Sequence, residues 1–218
     1  KIKDILDKSG GYTSNAYPFG GVYESVVAQA VNKKALDTLY NNYLDKIFEM
    51  QSSTYEFDAQ SYVSIASELR NLQPNGRIIV DFSPNSMSDI YLADGDIITI
   101  PETSSQVYVY GEVFSEGAVE YLENKNLDYY LSRSGGKNKS ADIKNIYVLQ
   151  PNGEAFRYKE NRNIFQTQIN KTKIYPGSII FVPQKIDNKA ARRLAAQSYV
   201  AILGNLGISL ASLSVLKE

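Results

Sequence analysis

The chain repeats itself, with an interruption in the first copy. Asp4-Ile5-Leu6-Asp7-Lys8-Ser9-Gly10-Gly11 leads through a turn to Gly21-Val22-Tyr23. Asp128-Tyr129-Tyr130-Leu131-Ser132-Arg133-Ser134-Gly135-Gly136 leads through a turn to Ile146-Tyr147-Val148. Pro74-Asn75-Gly76 precedes Arg77-Ile78-Ile79-Val80, as Pro151-Asn152-Gly153 precedes Glu154-Ala155-Phe156-Arg157. Leu92-Ala93-Asp94-Gly95-Asp96-Ile97-Ile98-Thr99-Ile100-Pro101 closes the first copy, and Ile174-Tyr175-Pro176-Gly177-Ser178-Ile179-Ile180-Phe181-Val182-Pro183 closes the second. Landmarks shared in one order define two copies of a small module, and such periodicity fixes the fold before any other signal.

The second copy is uninterrupted. Gln106 to Val113 alternates β-branched and aromatic residues with others, which predicts a strand. Gly117 to Tyr121 predicts a second strand after a Glu116-Gly117 turn. Leu127 to Arg133 predicts a short helix closed by Gly135-Gly136, where positive φ is needed. Asn145 to Leu149 and Glu154 to Tyr158 predict a hairpin around Pro151-Asn152-Gly153. Lys173 to Pro183 carries the last strand. A hairpin, a short helix and a mixed strand set, in that order, describe a β-grasp module. The expected class is therefore α+β, with two β-grasp modules spanning 1–103 and 104–187. The first copy opens directly on its helix. Its opening strands are absent, cut off or supplied from elsewhere, and would leave an open sheet edge.

Between about 23 and 72 lies a helical insertion that the second copy lacks. Val26, Val27, Ala30, Leu36, Leu39, Tyr40, Tyr43, Leu44, Ile47 and Phe48 recur at helical spacing. Asp58 to Leu72 predicts a second helix, joined through Gln51-Ser52-Ser53-Thr54. The pair either packs on an open sheet face or makes a subunit contact.

From 188 to 218 the character changes. No charge lies between Arg193 and Lys217, and the run approaches the length of a membrane span. Tyr199, Leu203, Leu206 and Leu210 supply apolar positions. Ser198, Asn205, Ser209 and Ser212 fall on one narrow polar stripe. A candidate membrane or lumen helix with a wet seam and a helix docked on its own domain both fit this pattern.

Composition removes most chemistry. The 218 residues include no His and no Cys, which excludes imidazole catalysis, thiol nucleophiles and most zinc and iron–sulfur sites. A net charge of -1 gives no basic surface for nucleic acid. The 17 tyrosines serve either as strand formers or as stacking faces for sugar rings. Asp94 and Asp96 flank Gly95 but lack the further acidic ligands of a calcium loop, and Ser178 replaces the second Asp beside Gly177. Ser9-Gly10-Gly11 and Ser134-Gly135-Gly136 follow helices and lack the Lys of a phosphate loop, so they read as caps. No carboxylate pair suits glycosidase chemistry. No enzyme, metal or cofactor is expected.

The ordered strings resemble the soluble-ligand-binding β-grasp (SLBB) module: Tyr110-Gly111-Glu112-Val113, Ser134-Gly135-Gly136, Leu92 to Pro101 and the degenerate Ile174 to Pro183. Tandem copies followed by an apolar C-terminal helix resemble the outer-membrane polysaccharide export (OPX, Wza-like) family. The long insertion resembles its capsule-export branch. The N-terminal export domain and acylated Cys of many members would lie upstream of Lys1, which makes this the C-terminal part of a longer protein. The resemblance implies a passive, oligomeric translocation channel in the periplasm and outer membrane of a Gram-negative bacterium. Its implied partners are other copies in a homo-oligomeric ring, the exported polysaccharide, the inner-membrane export or co-polymerase protein, and the outer membrane. The alternative is a periplasmic carbohydrate-binding accessory module without channel activity.

Overall fold

The computed structural model describes residues 1–51, 59–158 and 173–185. The predicted joint at 52–54 and the candidate helix from 188 to 218 lie outside them. The elements run α1 (Ile2–Lys8), a 3-10 turn (Pro18–Gly20), β1 (Val22–Glu24), α2 (Val26–Gln51), α3 (Ala59–Asn71), β2 (Arg77–Ile78), β3 (Ile97–Thr99), β4 (Gln106–Gly111), β5 (Gly117–Glu120), α4 (Leu127–Arg133), β6 (Tyr147–Leu149), β7 (Ala155–Arg157) and β8 (Ile179–Val182). The fold is mixed α+β with two sheets, one of order β2-β1-β3 and one of order β5-β4-β8-β6-β7.

The repeat is visible in the topology. β2-β1-β3 corresponds to β7-β6-β8, and every pair in each trio is antiparallel. Tyr23 faces Ile98 as Val148 faces Ile180. The connecting hydrogen bonds recur as well. Gly11 N–H donates to Leu6 O at 2.9 Å, as Gly136 N–H does to Leu131 O at 2.9 Å. Tyr17 N–H donates to Pro101 O at 2.7 Å, and Asp142 N–H to Pro183 O at 2.8 Å. The result is two β-grasp-like modules.

The Pro-Asn-Gly strings do not play the same part in both. In the second module Gln150 N–H donates to Glu154 O at 2.8 Å, and Pro151-Asn152-Gly153 forms the β6–β7 turn. In the first, Ser25 N–H donates to Gly76 O at 2.8 Å, so Gly76 takes the place of Glu154 and the alignment shifts by one residue. The whole α2–α3 pair stands where the second module has a tight turn. Tyr23 belongs to β1 and α2 starts only at Val26, because Asp96 Oδ1 accepts from the Val26 N–H at 3.2 Å and supplies that helix start with an acceptor.

Strand alternation divides the larger sheet into two apolar faces. Val107, Val109, Val148, Ile180 and Val182 point to α4, where Leu127, Tyr130 and Leu131 are buried. Tyr147, Leu149 and Ile179 point the other way, onto Tyr43 and Ile47 of α2 and Ile65, Ala66 and Leu69 of α3. The insertion of the first module thus covers the outer face of the second module's sheet. A strand sequence that is apolar on every residue, as in Ile179-Ile180-Phe181-Val182, is what a sheet buried on both faces requires. A third core gathers Ile2, Leu6, Tyr23, Val80 and Phe82 under the small sheet.

Candidate functional site

The acidic residues do not converge on chemistry. Asp96 Oδ2 accepts from Tyr23 Oη at 2.6 Å and from Ala93 N–H at 2.8 Å. The Tyr23 hydrogen bond, followed by the backbone donors, holds its carboxyl below the usual carboxylate range. Ser178 repeats half of this arrangement by accepting from Tyr175 N–H at 3.1 Å. Both residues organise the turn that enters a closing strand. Among the described residues no group of three acidic side chains could hold a metal. Gly10, Gly11, Gly95, Gly135, Gly136 and Gly177 all adopt positive φ, between 78° and 95°. Gly10 and Gly135 donate into the turns after α1 and α4, to Asp7 O at 3.2 Å and Ser132 O at 3.1 Å. These glycines lie at separate turns and form no common site.

The residues that do converge sit between the modules. Arg77 of β2 sends Nη2 to Pro151 O in the β6–β7 turn at 2.7 Å. Burial pushes its guanidinium down to about 10, so it stays charged at neutral pH. Elsewhere between the modules, the Phe19 and Tyr175 rings lie 4.4 Å apart between centroids, and Tyr17 lies 6.0 Å from Phe19. The Tyr17 hydroxyl is buried without a hydrogen-bond partner among the described residues, and burial drives its pKa well up. Lys173 Nζ stands 5.0 Å over the Tyr175 ring. With the α2–α3 pair, this makes three separate fastenings between the two modules. Sequence reading did not single out Arg77, Tyr17 or Phe19, since each looks like an ordinary strand or loop residue until the modules meet.

Among the tyrosines whose burial is described, only Tyr91 is exposed. Tyr23, Tyr43, Tyr130 and Tyr147 are buried in the cores. Most aromatic residues whose burial is described thus build sheets and interfaces, while Phe48, Tyr91 and Phe114 stand exposed. Along α2 an open groove of about 680 Å³ is lined by Val31, Lys34, Ala35, Thr38, Leu39 and Asn42, with no aromatic wall. No helix among the described residues is long and apolar enough to cross a membrane. The polar stripe of Ser198, Asn205, Ser209 and Ser212 and the apolar Tyr199, Leu203, Leu206 and Leu210 lie outside the described residues.

No family model matches the chain. A protein of Escherichia coli, polysialic acid transport protein KpsD, is 28% identical over 174 residues, which cover 77% of this chain and 29% of that protein. A second Escherichia coli protein of the same name is 30% identical over 138 residues, 61% of this chain and 24% of its own length. The chain thus spans less than a third of the length of the curated relatives it matches. Both carry the name of transport proteins, not of enzymes. These matches make the chain similar, over most of its length, to proteins named for polysialic acid transport.

Proposed function

We propose that this chain is part of a surface-polysaccharide export protein that works as a passive, oligomeric conduit at the periplasmic side of the outer membrane. The observation that carries the reading is the likeness to the polysialic acid transport proteins over 77% of the chain. The fold supports it. Two small modules fastened by Arg77, the Tyr17–Phe19–Tyr175 cluster and the α2–α3 pair form a stiff unit suited to stacking in a ring wall. Such a wall performs no bond chemistry. It needs shape, polar lining and fixed subunit contacts. The unit boundaries in this reading are 1–103, 104–187 and 188–218.

The third unit supplies the membrane side. Ala190 to Leu216 would form a helix whose Tyr199, Leu203, Leu206 and Leu210 meet lipid or neighbouring helices. Ser198, Asn205, Ser209 and Ser212 would face a shared wet interior, because an amide turned to lipid costs on the order of 1 kcal/mol or more. The partners of the working protein would be its own copies, the polymer, the outer membrane and an inner-membrane export protein. A carbohydrate-binding accessory role needs exposed aromatic faces gathered at one place, and the exposed aromatic residues described, Phe48, Tyr91 and Phe114, lie on separate segments of the chain.

The test compares Asn205→Leu with Leu206→Asn in the full-length protein, scoring polysaccharide at the surface of cells that depend on it. Leu206→Asn should be the more damaging. Equal tolerance of both would reject an oriented helix. A full-length protein that runs as a monomer in detergent would reject the ring.

A further inference from the structure

Helix α2 has two sides, and its own fold uses one. Tyr43 and Ile47 are buried against α3 and the larger sheet. Gln29 Nε2 donates to Pro74 O at 3.1 Å and Asn32 Nδ2 to Asn75 O at 2.6 Å, which pins the start of the helix to the chain entering β2. These contacts fix the rotation of α2 about its axis. The side turned away carries Val31, Lys34, Thr38, Asn41, Asp45 and Phe48. All six are exposed, Val31 at 64% and Phe48 at 66%. An open groove runs along this side, with Val31, Lys34 and Thr38 in its walls.

The six residues follow one another at spacings of three, four, three, four and three. That is the a/d seam of a helix that packs lengthwise on another helix. The residues in the seam select the partner. In an antiparallel pair of identical helices, with the twofold axis opposite the midpoint between Leu39 and Tyr40, each a position meets a d position. Val31 then meets Phe48 of the second copy, Lys34 meets Asp45, and Thr38 meets Asn41. Apolar faces apolar, cation faces anion and hydroxyl faces amide, each twice by symmetry. Among the described residues neither Lys34 nor Asp45 belongs to an ion pair. Thr38 Oγ1 donates to Lys34 O at 2.9 Å, which leaves its lone pairs for an amide. A parallel pair would set Lys34 on Lys34 and Asp45 on Asp45, and like charges across an interface repel.

We propose that this side of α2 binds a second copy of the chain, antiparallel about a twofold axis, through Val31–Phe48 contacts and Lys34–Asp45 ion pairs. A twofold contact uses the same patch on both copies and closes at two. It does not propagate around a ring, so it is separate from the ring contacts proposed above and does not rest on them. The polar middle of the seam fixes the register and lowers the strength, which suits a reversible pair. The insertion then has two roles: its inner side covers the larger sheet, and its outer side takes the second copy.

The test uses the chain's lack of Cys. Chains carrying V31C are mixed with chains carrying F48C under mild oxidation. The mixture should give a disulfide-linked pair. Neither variant alone should, because like positions of the two copies lie about 26 Å apart along the helix axis. Linking in V31C alone as readily as in the mixture overturns the antiparallel register. In sedimentation, D45K should weaken self-association at least about tenfold, since it creates two like-charge meetings per pair, and K34D/D45K should restore it. Three results overturn the contact: a chain that stays monomeric at every concentration, self-association that D45K leaves unchanged, or a double variant as weak as D45K. The first of them hands this face to another occupant, and the second assigns pairing to another surface.

Discussion

Arg77 donates from Nη2 to the Pro151 carbonyl at 2.7 Å, so a strand of the first module holds the hairpin turn of the second. A Cβ on Gly153 would come within 2.6 Å of Arg77 Nε, which shows how closely the guanidinium lies against that turn. The hydrogen bond from a charged donor is offset by the cost of removing that charge from water. Arg77→Met should therefore lose about 1 kcal/mol of stability, with the apolar stem retained. Chemical unfolding with one probe in each module measures it. A variant as stable as the parent would show that the contact is incidental.

Two glycines separate backbone strain from collision. Gly136 sits at φ +87° with nothing within 4 Å of an added Cβ, so only conformation opposes a side chain. Gly136→Val should cost about 1 kcal/mol or more, and Gly136→Asn less, since Asn tolerates this region. Gly111 has φ +92°, and a Cβ there would lie 2.2 Å from the Val182 carbonyl oxygen. Gly111→Ala should separate β4 from β8 and cost roughly 2–4 kcal/mol. Thermal melting of the three variants gives the order. A Gly111→Ala midpoint no lower than that of Gly136→Asn would contradict the close approach.

The sequence made the repeat, α4, β4 and β5 readable because each rests on local signals: alternation, helical spacing and Gly-Gly after a helix. It also left the insertion's role open between packing on a sheet and contacting another subunit. The structure settles where it packs, on Tyr147, Leu149 and Ile179. The sheet that receives it belongs to the other copy, a relation no local pattern encodes. The one-residue shift at Gly76 had the same origin. Pro74-Asn75-Gly76 carries turn residues, yet its partner Ser25 lies across the whole helical pair. Arg77 and Tyr17 acquire their roles only when the modules meet, so nothing in their immediate neighbours marks them.

Acid should reveal the Asp96 contact. The Tyr23 hydroxyl, then the Ala93 and Val26 amides, hold the carboxyl below its ordinary value of 3.8. A carboxylate lowered in the folded state contributes stability that is present above pH 3.8 and lost as pH falls through the lower folded value. Asp96→Asn removes that contribution and leaves Asp4 and Asp81 in place. The variant should be less stable than the parent at neutral pH, and the gap should narrow below pH 3.8. Urea midpoints across that range decide it, and a gap that stays constant with pH would exclude the carboxylate as its source.

The α2–α3 pair should stabilise the module it covers rather than the one it is inserted in. Leu69 is 4% exposed and belongs to the same core as Leu149 and Ile179, at 1% and 2%. The small sheet's core of Ile2, Leu6, Tyr23, Val80 and Phe82 has no member on either helix among the described residues. Leu69→Ala should open a cavity worth about 2–4 kcal/mol. Its effect on hydrogen exchange should fall on β6 and β8, at Leu149 and Ile180, before it reaches Tyr23 in β1. Truncating a residue inserted in the first module would then loosen the second, because packing and not chain order assigns a helix to its core. Exchange that accelerates first at Tyr23, with Leu149 and Ile180 unchanged, would place the pair's stabilising contacts in the first module and defeat this account.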